Sequence, residues 1–281
     1  MATCIMMQGT SSHVGKSILV TALCRIFYQD GRQVVPFKAQ NMALNSYVTR
    51  DGREMGRAQV AQAEAAGLEP VVEMNPVLLK PTGNSCSQVV LMGKPVGNMS
   101  AREYHKGYSV KLFEEVKAAL KSLQEEYDTI VIEGAGSPAE VNLHDNDIVN
   151  MRVARYLKAP VLLIADIDRG GVFASVYGSI MLQTPEDRQR IRGVLINKFR
   201  GDMSLFDSGR RMIEELCGVP VVGVVPHFTD IYIEEEDSVT LRTKQREAVE
   251  GRINVAVVLL RHMSNFTDFD VLERDERVHL F

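Results

Sequence analysis

Short apolar runs alternate along the chain with longer segments in which apolar residues recur every three or four positions. The apolar runs predict strands over residues 4–8, 34–37, 88–92, 129–133, 161–166, 193–197, 221–225 and 255–260. The helical periods predict helices over residues 16–29, 54–66, 110–126, 148–157, 172–181 and 205–217. Runs that are apolar throughout, such as residues 129–133, are typical of strands buried on both faces of a parallel sheet. The alternation predicts a doubly wound α/β fold, with a mostly parallel sheet and helices on both faces.

The pattern changes near the C-terminus. Residues 1–233 are expected to form one domain. Residues 234–251 are polar and lack a clear period, so we expect a linker, with an ordered surface loop as the alternative. Residues 252–281 predict a strand, a short helix and a second strand. A segment of about 30 residues cannot bury its own apolar faces, so it is expected to be the cut-off beginning of a second domain.

Composition narrows the functional classes. The 281 residues carry a net charge of −4, with 45% hydrophobic and 24% charged residues, which is ordinary for a globular protein and argues against a sequence-independent nucleic-acid binder. The four cysteines are scattered, with no CxxC, so neither a disulfide framework nor a zinc site is expected. No export signal or apolar run of membrane-spanning length is visible. We therefore expect a cytoplasmic protein that binds neither nucleic acid nor membrane.

A glycine-containing loop joins the first predicted strand to the first predicted helix, and reads Gly9-Thr-Ser-Ser-His-Val-Gly15-Lys16-Ser17. Small residues let backbone N–H groups approach a phosphate, the helix N-terminus adds partial positive charge, and a lysine reaches the outer phosphate oxygens. The loop departs from G-x4-G-K-[ST] because Thr10 stands where the first glycine is expected. The strand–loop–helix context nevertheless predicts a P-loop NTPase; a chance turn before a helix is the alternative.

The expected nucleotide-binding positions are the loop and the residue after it: Gly9, Thr10, Ser11, Ser12, His13, Val14, Gly15, Lys16, Ser17 and Ile18. No lysine lies between Gly9 and Lys16, which disfavours the P-loop branch that works as a dimerising switch through an early lysine. The loop resembles those of dethiobiotin synthetase and the cobyrinate amidases, which use ATP to activate a carboxylate or carbamate.

Several longer strings carry a more specific resemblance. They are PFKAQNMALNS at residues 36–46, EMGRAQ at 54–59, MNPVLLKP at 74–81, EGAGSPAE at 133–140, DIDRGG at 166–171, INKFRGD at 196–202 and SNFTDFD at 264–270. Together they resemble the cobyric acid synthase family, the glutamine-dependent amidases of cobalamin biosynthesis, over essentially the whole chain. The resemblance implies a dethiobiotin-synthetase-like fold, with ATP and Mg²⁺ as cofactors.

The resemblance also implies an activity. The family amidates the b, d, e and g carboxylates of adenosylcobyrinic acid a,c-diamide, with ATP phosphorylating each carboxylate and ammonia displacing the phosphate. Charge gathers on the transferring phosphoryl group, so such a site must supply cations. The alternatives are amidation of another polycarboxylate by the same chemistry, and an ATP-dependent switch that acts on a partner.

Residue roles follow from the resemblance. Lys16, Lys38 and Asp147 are the expected catalytic residues, with Lys38 bridging the substrate carboxylate and the γ-phosphate. Mg²⁺ prefers oxygen ligands, and its expected ligands are Ser17, Glu54 and Glu133. Structural alternatives remain: a solvated lysine for Lys38, a first-turn helix acid for Glu54, a strand-end carboxylate that caps the following glycine turn for Glu133, and a helix N-cap for Asp147.

Amide side chains complete the expected site. Asn197 resembles an asparagine that reads a purine ring, with a simple turn residue as the alternative. Gln40, Asn41 and Asn45 are expected to bond substrate amides, and Asp145 to help Asp147.

The family pairs this domain with a class-I glutaminase, which needs a cysteine nucleophile on a tight turn. None of Cys4, Cys24, Cys86 and Cys217 has that context. We therefore expect ammonia to come from a glutaminase domain missing from this chain. Assembly into a homo-oligomer is left open.

Overall fold

The computed structural model describes residues 2–83, 85–228, 231, 247–260 and 263–281. Its strands are β1 (Thr3–Gly9), β2 (Val34–Phe37), β3 (Gln40–Met42), β4 (Ser46–Val48), β5 (Glu54–Gly56), β6 (Val77–Gly83), β7 (Cys86–Leu91), β8 (Lys94–Ser100), β9 (Thr129–Glu133), β10 (Val161–Asp166), β11 (Ile191–Phe199), β12 (Val221–Pro226), β13 (Ile253–Val255) and β14 (Val278–Leu280). Its helices are α1 (Lys16–Gln29), α2 (Arg57–Ala65), α3 (Ala101–Glu103), α4 (Ser109–Glu126), α5 (Met151–Leu157), α6 (Val172–Met181), α7 (Pro185–Arg188), α8 (Asp207–Cys217) and α9 (Asp270–Glu273).

A six-stranded parallel sheet forms the centre of the fold, in the order β12-β11-β10-β1-β9-β2. The chain leaves β1 toward β2, returns to insert β9 between them, and then continues on the other side of β1. All six carboxyl ends lie at one edge, where open parallel sheets bind ligands. The predicted doubly wound α/β fold is confirmed.

Two apolar cores cover the two faces of this sheet, because neighbouring strand residues point to opposite sides. Met7, Val131 and Ile164 pack with Leu19 and Val20 of α1. On the other face, side chains of β1, β9 and β10 pack with α4, α5, α6 and α8. Helices therefore cover both faces, as continuous apolar strands require.

A second sheet was not predicted. It has the order β3-β6-β7-β8, and β4 pairs separately with β5. The run at residues 88–92 belongs to this second sheet, as β7. Pairing of Glu54–Gly56 with Ser46–Val48 also corrects the helix predicted over residues 54–66: α2 begins at Arg57 because the residues before it form β5.

The C-terminal segment differs from prediction in its first strand. The strand predicted over residues 255–260 is wrong: β13 ends at Val255, where its pairing with β14 also ends. Of the predicted linker over residues 234–251, residues 234–246 lie outside the described part of the chain. Among the described residues, no helix combines the length and apolar character that crossing a bilayer requires.

Candidate functional site

The phosphate loop occupies the carboxyl end of the central strand. It follows β1 and ends where α1 begins at Lys16, and the N–H of Thr10 donates to the carbonyl of Ile164 on β10 at 2.9 Å. Gly15 has a φ of 99°, and a Cβ there would lie 2.2 Å from Nδ2 of Asn197. Glycine is therefore required twice, for the backbone conformation and for the contact.

The side chain of Lys16 bonds two backbone carbonyls, one of them within the phosphate loop. Its Nζ donates to the carbonyls of Ser11 at 3.0 Å and Gly136 at 3.1 Å, so one ammonium joins the loop after β1 to the loop after β9. Lys198, on β11, donates to the carbonyl of His13 at 2.7 Å and to Asp166 at 2.8 Å. Two lysines thus fix the loop from both sides and add positive charge where a polyphosphate would lie.

A buried polar cluster lies next to the loop, around the carboxylate of Glu133 at the end of β9. Its Oε1 accepts hydrogen bonds from Ser17 at 2.8 Å and from Lys38 at 2.9 Å. Its Oε2 accepts one from Gln62 of α2 at 2.5 Å. The sequence prediction missed Gln62, because the residue pattern of α2 does not indicate that this amide side chain faces the carboxylate of Glu133 on β9.

Electrostatics at Glu133 favour the charged form. Burial by itself raises the pKa of this carboxyl group, but the nearby charge of Lys38, the hydrogen bonds from Lys38 and Gln62, and the charge of Lys16 outweigh it, so the net pKa is lowered. A buried ionised carboxylate beside a serine hydroxyl is the oxygen donor set that suits Mg²⁺. Ser17 and Glu133 fit such an ion, although Lys38 shares the oxygen that faces Ser17.

Glu54 does not join this cluster. Its carboxylate accepts a hydrogen bond from Lys80, which also donates to Ser46 at 3.2 Å. Glu54 does not line the cavity that Ser17 and Glu133 line. The structure therefore separates Glu54 from Ser17 and Glu133. Within the described residues, no group of three or more histidines, cysteines and acids could hold a metal ion, so any metal here would draw further ligands from elsewhere, such as phosphate oxygens.

A cavity of about 1070 Å³ opens beside the loop and the Glu133 cluster. Its wall includes Lys16, Lys38, Arg169 and Lys198, and it also includes Gln40 and Asn41 of the second sheet. Lys16 and Lys198 bond carbonyls of the phosphate loop, whereas Gln40 and Asn41 belong to β3. The cavity is larger than many small-ligand sites, which suits two ligands lying side by side.

The remaining predicted residues fall into different places. Gln40 accepts a hydrogen bond from Tyr104, a cavity residue that sequence analysis missed, and burial raises the pKa of that tyrosine. Asn41 lies in the wall and donates to Gln59 at 3.1 Å, whereas Asn45 is buried and outside the wall.

The side chains of Asn197 and Asp147 both form hydrogen bonds with backbone groups. The amide of Asn197 donates to the carbonyl of Val14 at 2.7 Å, while its Oδ1 has no hydrogen-bond partner within the described residues. Asp147 accepts from the N–H groups of Val149 at 2.9 Å and Asn150 at 3.0 Å, just before α5, which favours the capping alternative. The side chain of Asp145 is exposed to solvent. A direct role of Asp147 in chemistry stays a prediction.

The fold and the loop define a P-loop nucleotide-binding protein. Residues 5–241 match the family described as the CobQ/CobB/MinD/ParA nucleotide binding domain, and the chain belongs to it. The chain is 63% identical to a cobyric acid synthase of Phocaeicola vulgatus over 278 residues, and 62% identical to one of Bacteroides fragilis over the same length. Each alignment covers 99% of this chain and 56% of the relative.

The chain thus spans about half the length of these curated relatives, and the resemblance to cobyric acid synthases is confirmed. Among solved structures, the signal recognition particle receptor FtsY from Elizabethkingia anophelis aligns at 18% identity with a TM-score of 0.43, over 80% of this chain and 58% of that chain.

Proposed function

We propose that the chain is the ATP-dependent amidating part of a cobyric acid synthase. In this proposal it converts the b, d, e and g carboxylates of adenosylcobyrinic acid a,c-diamide to amides, giving adenosylcobyric acid. The observation that carries the proposal is the cluster of Ser17, Lys38 and Gln62 on the buried carboxylate of Glu133, which opens on a cavity with room for a nucleotide and a second ligand.

Each residue has a task in this chemistry. The loop amides and Lys16 bind the triphosphate. Ser17 and Glu133 would hold Mg²⁺, which would supply positive charge to the phosphoryl group in transfer. Lys38 holds the substrate carboxylate against the γ-phosphate. An oxygen of the carboxylate attacks the γ-phosphorus and ADP leaves, which gives an acyl phosphate. Ammonia then attacks the carbonyl carbon, and phosphate and one proton are released. Asn197 accepts from the purine through its Oδ1.

We also propose the domain arrangement: residues 1–233 as the synthetase domain, 234–251 as a linker, and 252–281 as the beginning of a class-I glutaminase domain that supplies ammonia in the longer relatives. The cysteines support an external source of ammonia. Cys4, Cys24 and Cys217 are buried, and burial raises the pKa of each thiol, that of Cys24 to about 12. Cys86 is exposed, on β7 of the second sheet.

The test uses the purified chain with Mg·ATP, ammonium chloride and the corrinoid, with products resolved by mass spectrometry. We expect stepwise amidation with ammonium and none with glutamine. Substrate carboxylates labelled with oxygen-18 should pass one labelled oxygen to the released phosphate, because the acyl phosphate breaks at the carbon–oxygen bond. Amidation without label transfer would refute the acyl phosphate. No amidation with ammonium, by protein that binds ATP, would refute the function.

A further inference from the structure

A second cluster of charged side chains borders the same cavity. His144 lies in the turn Val141–Asn146 and forms part of the cavity wall, with its side chain 28% exposed. Its Nε2 lies 3.2 Å from Oδ2 of Asp187, a fully buried residue of α7. Arg155 of α5 donates a hydrogen bond to the same Oδ2 at 2.7 Å. Three segments that are distant in the sequence therefore converge on one imidazole.

The buried carboxylate of Asp187 favours one tautomer of the His144 ring. A carboxylate oxygen accepts hydrogen bonds, and Oδ2 of Asp187 lies nearer to Nε2, at 3.2 Å, than Nη1 of Arg155 does, at 3.5 Å. We therefore assign the proton of a neutral His144 to Nε2 and the lone pair to Nδ1. Nδ1 makes no hydrogen bond to any described residue. The charged groups that face the ring are Asp145 from its own turn, 4.0 Å from Nδ1, together with Arg155 and Asp187. A carboxylate behind a histidine orients the ring and stabilises the protonated ring that forms when Nδ1 accepts a proton.

The other acids of the cavity wall are less suited to accept a proton. Glu133 is held by Ser17, Lys38 and Gln62, and its pKa is lowered. Asp147 accepts backbone N–H groups. Glu140 also lines the wall, but no ion pair with a described residue orients its carboxylate.

We propose that His144 is the proton acceptor of the amidation step, and that Asp187 and Arg155 are its positioning residues; this rests on the proposed function. The nitrogen lone pair of ammonia attacks the carbonyl carbon of the acyl phosphate and forms the C–N bond. The attached nitrogen then carries one surplus proton, which passes to Nδ1 of His144. The bond between the carbonyl carbon and the bridging oxygen of the acyl phosphate breaks, and phosphate leaves with the electron pair. His144 later returns the proton to solvent.

The test separates the effect of the basic nitrogen of His144 from the effect of its hydrogen bond to Asp187. In His144→Gln, the side-chain N–H can still donate to Asp187, but no basic nitrogen remains. In His144→Ala both are lost, and added imidazole can supply the base. Rates of amidation are measured at a fixed concentration of free ammonia across pH, and Mg·ATP affinity is measured separately. His227→Gln is carried in parallel as the control, because His227 contacts Arg200 at 2.7 Å and does not line the cavity.

Because general-base catalysis contributes roughly 10²–10⁴-fold, we expect the rate of His144→Gln to fall about a hundredfold or more, with Mg·ATP affinity unchanged. We also expect imidazole to raise the rate of His144→Ala, Asp187→Asn to shift the acidic limb of the pH profile, and His227→Gln to behave as wild type. A fall of less than tenfold in His144→Gln, or no rescue of His144→Ala, overturns the proposal. Loss of amidation in the wild type would instead refute the proposed function.

Discussion

The ammonium of Lys38 lies 2.9 Å from Oε1 of Glu133, and both side chains are almost completely buried. The same oxygen accepts the hydroxyl of Ser17, so the candidate metal ligand and the candidate substrate-binding lysine share one atom. A cation that enters between Ser17 and Glu133 would weaken the hold on Lys38. This pair therefore links the phosphate loop to the substrate side of the cavity.

Removing the charge of Glu133 should destabilise the fold strongly. In Glu133→Gln, the ammonium of Lys38 stays buried and loses the negative charge of Glu133, and breaking a buried pair on one side costs about 3–5 kcal/mol. Urea unfolding measures the loss. The control is the double variant with Lys38→Met, which removes both charges and should recover most of the stability. A double variant as unstable as Glu133→Gln would contradict the ion-pair explanation.

The same pair should make stability depend on pH. The folded-state pKa of Glu133 is lowered from its usual value of 4.5, so its contribution is complete above that value and disappears as the pH falls through the lowered one. The wild type should therefore lose more free energy of unfolding below pH 4.5 than the double variant Lys38→Met/Glu133→Gln. Unfolding curves at a series of pH values measure both slopes. Parallel slopes would show that Glu133 does not carry this dependence.

Substitution of Gly15 should damage the phosphate loop beyond the effect of backbone strain. Gly31 also has a positive φ, of 80°, but a Cβ there would meet nothing within 4 Å. Gly31→Ala should cost about 1–2 kcal/mol and leave nucleotide affinity unchanged. Gly15→Ala adds the collision with Asn197 and should weaken binding of a fluorescent ATP analogue at least tenfold. Equal nucleotide affinity in the two variants would refute the contact.

The requirement for magnesium should separate Ser17 from Glu54. Ser17→Ala removes a hydroxyl that donates to Glu133 and is a candidate ligand of Mg²⁺, and should raise the Mg²⁺ concentration for half-maximal ATP binding by roughly tenfold or more. Glu54→Gln changes a carboxylate that bonds Lys80 outside the cavity wall, so its Mg²⁺ requirement should match that of the wild type. A metal titration at fixed ATP gives both values, and a shift in Glu54→Gln would return that residue to the metal site.

The strands of the central sheet could be predicted from local pattern. Residues 34–37, 129–133 and 161–166 form strands with the predicted bounds, and helix α1 spans the predicted residues 16–29. In these segments burial on both faces or on one helical stripe leaves a period in the sequence. Around residues 40–100 the pattern was weaker. Short strands with mixed polarity pair there across turns, and β5 replaced the first turn of a predicted helix.

By itself, the sequence determined the order of strands and helices, the phosphate loop and the family, because each depends on neighbouring residues or on short strings that keep their order. Only the tertiary structure decided that Gln62 meets Glu133, that Glu54 pairs with Lys80 outside the cavity wall, and that Asp187 stands behind His144. Glu54 and Lys80 lie 26 residues apart along the chain, and His144 and Asp187 lie 43 apart. Each contact therefore depends on how separate elements pack. No local period records which side chains such packing brings within hydrogen-bonding distance.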